Sequence, residues 1–376
     1  MARLLPASGT LSMAFDALSL AVPGVRGLQP YVPGKPIEEL EREYGVTNVI
    51  KLASNENPLG PSPKAVAAAQ AALVEAARYP DGGGFALKRA LATKLGVLPE
   101  QITLGNGSSD ILEFAVRVFV PAQDEVIFSQ HAFALYPLIT QAVGARAVEV
   151  PARAWAHDLD AMRAAITPRT RLIFIANPNN PTGTWLGSAA LAGFLDKVPA
   201  SVVVVIDEAY FEYVEAGDYP NTVAWLARYP NLICARTFSK IYGLAGLRVG
   251  YGVSSVAIAD VLNRVRPPFN VSSVAQAAAL AALDDHAHLE RTRRMNTAGM
   301  QQLVLGFEKL GLDHIPSAGN FVCVDVGEAG RVYEQLLRAG VIVRPVANYG
   351  MPRHLRVTVG LADENQRFLD ALKNIL

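Results

Sequence analysis

Cysteine is nearly absent from this chain, with two residues among 376, Cys234 and Cys323. Neither sits in a C-x-x-C pair or beside a His/Cys cluster, which excludes a disulfide framework and the common structural zinc sites. Both lie in apolar stretches and are expected to be buried, reduced and structural. Neither sign of charge is in excess: 34 Lys and Arg face 34 Asp and Glu, and no long basic run occurs. The electrostatic footprint of a nucleic-acid binder is therefore missing. Hydrophobic residues make up 51% of the chain, yet there is no run of about 18 uncharged apolar residues, the length that spans a bilayer. Two catalytic signatures are missing as well. The one Gly-Lys pair, Gly34-Lys35, runs into Pro36, so no phosphate loop of the form G-x-x-x-x-G-K-[ST] exists, and no G-x-S-x-G nucleophile elbow occurs. What remains is the expectation of a soluble protein with small-molecule partners and neither nucleic acid nor membrane among them.

A chain of this length exceeds one ordinary core, so two domains are expected. The first 22 residues lack a charged n-region followed by a compact apolar one and read as a loose arm rather than a targeting signal. Pro/Gly-rich loops at Pro23 to Pro36 and Pro58 to Pro63 bracket a helix at Ile37 to Tyr44, and alanine-rich Ala65 to Ala77 reads as helix. From Leu104 a Gly-rich turn, a helix at Ile111 to Phe119 and short apolar runs follow. The runs stand at Glu125 to Phe128, Ala147 to Val150, Arg171 to Ala176, Val202 to Ile206, Leu232 to Ala235 and Arg248 to Tyr251. Buried strands alternating with helices predict a mostly parallel α/β sheet flanked by helices. Beyond Pro267-Pro268 come a long alanine-rich helix (Ser273 to Arg294), strands near Asn320 to Val326 and Leu355 to Val359, and a helix at Val332 to Ala339, which together predict a smaller α+β domain. The expected division is 1–45 for the arm and a small-domain segment, 46–268 for the large domain and 269–376 for the small one.

Ligands of open α/β sheets sit beyond the carboxyl ends of strands. Four such places hold unusual residues: Asn177-Pro178-Asn179-Asn180-Pro181-Thr182-Gly183, Asp207-Glu208-Ala209-Tyr210, Thr237-Phe238-Ser239-Lys240 through Arg248, and the turn at Gly105. Alone, each has an ordinary explanation. Asp207-Glu208 equally resembles a Walker B element, which the missing phosphate loop excludes, and lone lysines and Asn-Pro pairs are usually solvated or turn residues. The combination matches what a pyridoxal cofactor needs: a lysine for an imine, an acid at the ring nitrogen, donors to the phenolic oxygen and an anion cradle. Lys240 supplies the first. Asp207, at the end of a buried strand, stays ionised only beside a positive partner such as a pyridinium. Asn180 and Tyr210 can donate to the phenolic oxygen. The N–H groups of Ser108 and Ser109 open a helix and can hold a phosphate, with Thr237, Ser239 and Arg248 completing the cradle. His286 and His288, beside Asp284 and Asp285, stand at alternate helix positions that point them apart, so a solvated face and no metal are expected.

From about Val25 to Leu376 the sequence resembles the fold-type-I aminotransferases, specifically the histidinol-phosphate aminotransferase family. The N-P-N-N-P-T-G, D-E-A-Y, F-S-K-x-x-G-L-A-G-L-R-V-G and L-R-V-T-V-G runs stand in that family's order. The resemblance implies pyridoxal 5′-phosphate as cofactor and a cytoplasmic homodimer in which Tyr79 reaches the neighbouring subunit's cofactor phosphate. It further implies that Phe133 stacks on the cofactor ring, where the family often has Tyr. Arg356 would take the substrate's anionic group with help from Arg344, and Tyr31, Asn55 and Asn320 would stand near the substrate. The implied reaction takes the amino group of histidinol phosphate to 2-oxoglutarate, in histidine biosynthesis. Sequence leaves open an aromatic-amino-acid aminotransferase or a decarboxylase on the same fold, because specificity rests on pocket shape, worth only ~1–3 kcal/mol per methylene. A non-catalytic binding protein is the rival from another class, and the intact Asp207, Tyr210 and Lys240 set argues against it.

Overall fold

The structure, a computed structural model, describes residues 15–30 and 34–376. Tyr31 lies outside the described residues. The centre is a seven-stranded sheet in the order Ile102–Gly105, Gly250–Ser254, Leu232–Thr237, Val203–Asp207, Thr170–Ala176, Glu125–Ser129, Arg146–Val150. All neighbouring pairs are parallel except those made by Gly250–Ser254, which runs antiparallel to both of its neighbours. Val203–Asp207 is buried along its whole length, as expected of a strand covered on both faces, where no polar alternation is required. One apolar cluster on each face fills the space under the flanking helices.

A smaller antiparallel sheet, ordered Arg344–Pro345, His354–Thr358, Phe321–Asp325, His314–Ile315, forms the second domain. Helices Ala329–Arg338, Ala362–Ile375 and the later part of His286–Lys309 cover it with Leu336, Phe368, Leu372, Leu303 and Phe307. The N-terminal segment joins this unit, since Ile50–Lys51 pairs in parallel with Val341–Ile342 and Leu40 packs with Leu337 and Ile342.

Four expectations need correction. The strand expected to begin at Arg248 begins at Gly250, which leaves Arg248 in the preceding turn with φ +55. The helix expected to run unbroken from Ser273 to Arg294 is two helices, Ser273–Leu283 and His286–Lys309, because Asp285 caps the second by accepting from the His288 N–H at 3.2 Å. The first packs Ala275, Ala278, Ala279 and Ala282 into the cluster under the large sheet, so the change of texture after Pro267-Pro268 marks a helix of the large unit. His288 is not on a solvated face. It is buried, with Nε2 3.2 Å from the Gly60 carbonyl and Nδ1 2.9 Å from Arg291 Nη2.

Candidate active site

The parallel strands end at one edge of the large sheet, and there a cavity of about 300 Å³ opens against the small domain. Its wall includes Ser108, Ser109, Phe133, Asn180, Asp207, Tyr210, Thr237, Ser239, Lys240, Arg248, Arg344, Arg356 and Asn55. Residues from five separate strand ends and turns thus converge, as the rule for open α/β sheets requires.

Asp207 is the last residue of its strand. Its Oδ2 accepts a 2.9 Å hydrogen bond from the Tyr136 hydroxyl, while no donor among the described residues makes a well-formed bond to the buried Oδ1. Burial pushes its carboxyl up to about 6, against the pull of Tyr136, the Ala209 backbone N–H and Lys240. A buried carboxylate with one oxygen satisfied and the other bare needs a cationic or protonated partner. Lys240 is displaced in the other sense. Burial, reinforced by the nearby positive charge of Arg356, lowers its ammonium to about 8, and Nζ donates to the Ser54 carbonyl at 3.3 Å. A lysine so placed is readily available as a free amine.

Tyr210 is buried against Phe321, and its hydroxyl oxygen accepts from Asn55 Nδ2 at 2.8 Å. Asn55 is held in turn by Thr358, whose hydroxyl bonds to Asn55 Oδ1 at 3.1 Å. Arg356 comes from the small sheet and spans the two domains. Its Nη1 donates to Asn180 Oδ1 at 2.5 Å and its Nη2 to the Ala53 carbonyl at 2.6 Å, while its buried Nε has no partner among the described residues. Asn180 therefore presents its amide N–H groups as the free end.

The opposite element is a concave backbone surface. Helix Ser108–Phe119 begins directly after Gly107, whose φ is +82. A Cβ on Gly107 would lie 2.8 Å from Arg248 Nη2, and one on Gly250 only 2.4 Å from the Ser108 nitrogen. Glycine is thus required at both places to bring the helix N-terminus, Arg248 and Ser239 together. Thr237 and Ser239 hydroxyls lie 3.0 Å apart, and Arg248 Nη1 reaches Ser239 Oγ at 3.5 Å. Such a cluster of N–H, hydroxyl and guanidinium groups at a helix start suits a phosphate.

Residues 47–372 match the family described as aminotransferase class I and II. The chain is 62% identical over 358 residues to histidinol-phosphate aminotransferase 1 of Nitrosococcus oceani, covering 95% of this chain and 97% of that one. It is 61% identical to histidinol-phosphate aminotransferase 2 of Pseudomonas fluorescens, covering 97% and 99%. It superimposes with a TM-score of 0.89 on the Sinorhizobium meliloti histidinol-phosphate aminotransferase solved in complex with pyridoxal-5′-phosphate, at 31% identity and 97% and 99% coverage. The chain belongs to the histidinol-phosphate aminotransferases of aminotransferase class I and II.

In this aminotransferase two expected site residues stand away from the cavity wall. Asn320 is buried one layer behind it, donating from Nδ2 to the carbonyls of Asn55 at 3.1 Å and Glu56 at 3.3 Å. Tyr79 is 83% exposed and stacks on Phe269 at 4.8 Å. Tyr136 was the residue that sequence reasoning missed. It lies in the first turn of helix Leu135–Ala142, three positions after Phe133 in the loop that leads into that helix, and that nearness to a wall aromatic is the available signal. Tyr349 also lines the cavity; nothing in its local sequence marks it, because the small domain alone carries it there. Among the described residues no cluster of His, Cys, Asp and Glu could hold a metal, and no helix is long and apolar enough to cross a membrane.

Proposed function

We propose that this aminotransferase binds pyridoxal 5′-phosphate in the cavity and moves the amino group of histidinol phosphate to 2-oxoglutarate, giving imidazole-acetol phosphate and glutamate in cytoplasmic histidine biosynthesis. The observation that carries this reading is that a lysine, a half-satisfied buried carboxylate and two arginines from the small domain, Arg344 and Arg356, line one cavity. Bound there, the cofactor supplies an aldehyde carbon for the amino group and an electron-poor ring that spreads the charge left when a proton leaves the substrate's Cα.

The chain's own residues divide the remaining work. Asp207, through its unpartnered Oδ1, would hold the proton on the ring nitrogen. Asn180 Nδ2 and the Tyr210 hydroxyl donate to the ring oxygen, and Phe133 covers a ring face. The N–H groups of Ser108 and Ser109, with Thr237, Ser239 and Arg248, take the cofactor phosphate. Lys240 Nζ would hold the cofactor's aldehyde carbon and, as a free amine, would take the proton from the substrate's Cα. Arg356 binds the phosphate of one substrate and the carboxylate of the other, and Arg344 adds the second positive charge that a phosphate dianion favours. Asn55 and Asn320 keep the substrate side in shape. The protein acts as a homodimer, with Tyr79 completing the partner's phosphate site. A panel of amine donors tests the substrate. Histidinol phosphate is expected to exceed phenylalanine in kcat/KM by at least about 100-fold, the scale of losing a charged hydrogen-bonded group; better turnover of phenylalanine overturns the assignment.

A further inference from the structure

Behind the cavity wall, segments carrying His131, Thr184 and His354 meet around Trp155. Residues 153–156 form a tight turn closed by Arg153 and Ala156, which exchange two 3.0 Å backbone hydrogen bonds. Its central residues, Ala154 and Trp155, have φ of +49 and +65. Turns of this hand ordinarily use Asn or Gly, and a bulky residue in the left-handed region persists only where its surroundings hold it. The surroundings are specific. The Trp155 ring lies 5.3 Å from His131 of the large domain and 4.9 Å, edge-on, from His354 of the small domain. His131 is itself left-handed, with φ +56.

Both sides of this wedge are tied to the site. The His131 carbonyl accepts from Asn179 Nδ2 at 2.9 Å and the Trp155 carbonyl from Thr184 Oγ1 at 3.2 Å, so the loop that carries Asn180 anchors both. His131 Nδ1 makes a 2.5 Å hydrogen bond to the Tyr349 carbonyl. A Cβ on Gly350 would lie 3.3 Å from the His131 ring, so the two chains are in direct apposition. Tyr349 in turn lines the cavity beside Arg344 and Arg356.

We propose that Trp155 is a positioning residue for the substrate end of the cavity: wedged between His131 and His354, it holds the small-domain segment Ala347–Tyr349 against the site. The backbone cost of the Ala154-Trp155 turn is offset by this packing, and the small domain is thereby fixed at the distance at which Tyr349, Arg344 and Arg356 close on a substrate anion. The phosphate cradle of the cavity, built from the start of helix Ser108–Phe119 with Thr237, Ser239 and Arg248, lies apart from the wedge and holds the cofactor without it. The consequence for substrate rests on the reading of Arg344 and Arg356 given above.

Two measurements on Trp155→Gly and Trp155→Phe test this. Glycine accepts the positive φ and removes the ring, so the turn remains while the wedge is lost. Hydrogen exchange needs no substrate: the amides of Tyr349 and Gly350 are expected to exchange at least tenfold faster in Trp155→Gly and to recover most protection in Trp155→Phe. Kinetically, KM for histidinol phosphate is expected to rise about tenfold or more in Trp155→Gly, with kcat and cofactor affinity, followed by visible absorbance, within about threefold of the parent. Unchanged exchange at Tyr349 overturns the inference whatever the substrate proves to be. Changed exchange with a parent protein that ignores histidinol phosphate upholds the wedge and overturns the substrate assignment. An equal loss of cofactor affinity also overturns it, because the wedge then supports the whole site.

Discussion

Arg356 Nη1 and Asn180 Oδ1 are joined by a 2.5 Å hydrogen bond that crosses from the small sheet to the loop after strand Thr170–Ala176. By occupying the amide oxygen, the guanidinium fixes which end of Asn180 faces the cavity. The group proposed to hold the substrate anion and the group proposed to touch the cofactor's ring oxygen therefore form one unit.

Arg356→Ala is accordingly expected to raise KM for both the amine donor and the oxo acid by roughly 30- to 4000-fold, the range for removing one partner of a buried charged pair. Arg356→Lys should recover only part of the loss, since an ammonium cannot span Asn180 and the Ala53 carbonyl with a planar fork. Steady-state kinetics of both half-reactions check this, and Arg356→Ala combined with Asn180→Ala should cost less than the sum of the two. A defect confined to one half-reaction would show that the arginine serves a single substrate.

Asp207 makes a prediction about stability that runs opposite to its value for function. Its carboxyl is raised from 3.8 to about 6 in the fold by burial, so the folded chain binds the proton more tightly than the unfolded one. Between pH 4 and 6 stability of the cofactor-free protein is lost as pH rises, and above 6 the full penalty of a buried charge is present, up to about 3 kcal/mol. Cofactor-free Asp207→Asn should therefore melt higher than the parent at pH 7, with the gap closing below pH 4, while its turnover falls on the order of 100- to 1000-fold. Thermal melts across pH 4 to 8 read the first effect. A variant less stable than the parent at pH 7 would mean that Asp207 is chiefly a structural hydrogen-bond partner.

Tyr136 is fully buried, stacked on Phe174 at 4.4 Å, and gives its hydroxyl to Asp207. Tyr136→Phe keeps the stack and removes the hydroxyl. The Asp207 carboxyl should then titrate still higher, because a bond that favours its ionised form is gone. The pH at which the bound cofactor's visible absorbance changes should move with it, with a fall in kcat of about tenfold, the effect of roughly one charged hydrogen bond. An unmoved spectral titration would separate Tyr136 from the chemistry.

Tyr79 is exposed on one subunit and proposed to act on another. Mixing Tyr79→Ala with Lys240→Ala chains should restore activity, since one of the two sites in each mixed dimer regains both residues. Activity no greater than the sum of the parents would place Tyr79 outside the neighbouring site.

The strands of the large sheet were legible because a strand buried on both faces reads as an unbroken apolar run, as Val202 to Ile206 does. The residues following them were legible because lysine, aspartate and paired asparagines are costly at such ends without a ligand. Packing hid the rest. Nothing local tells that the alanines of Ser273–Leu283 face the large sheet, or that Asp285 breaks the helix by capping its successor. Asn320 resembles a substrate residue, yet its amide nitrogen is spent on the Asn55 and Glu56 carbonyls. Tyr136 and Trp155 act through partners distant in sequence, Asp207 and His354, and only the fold brings them together.

Lys240 carries the central claim, and borohydride reduction of the protein with pyridoxal phosphate followed by peptide mass spectrometry reads it directly. The expected result is a yellow protein whose colour is lost on reduction, with one stable cofactor adduct on the peptide containing Lys240 and none in Lys240→Ala. An adduct on a different lysine, or a colourless protein with no adduct, would contradict the account.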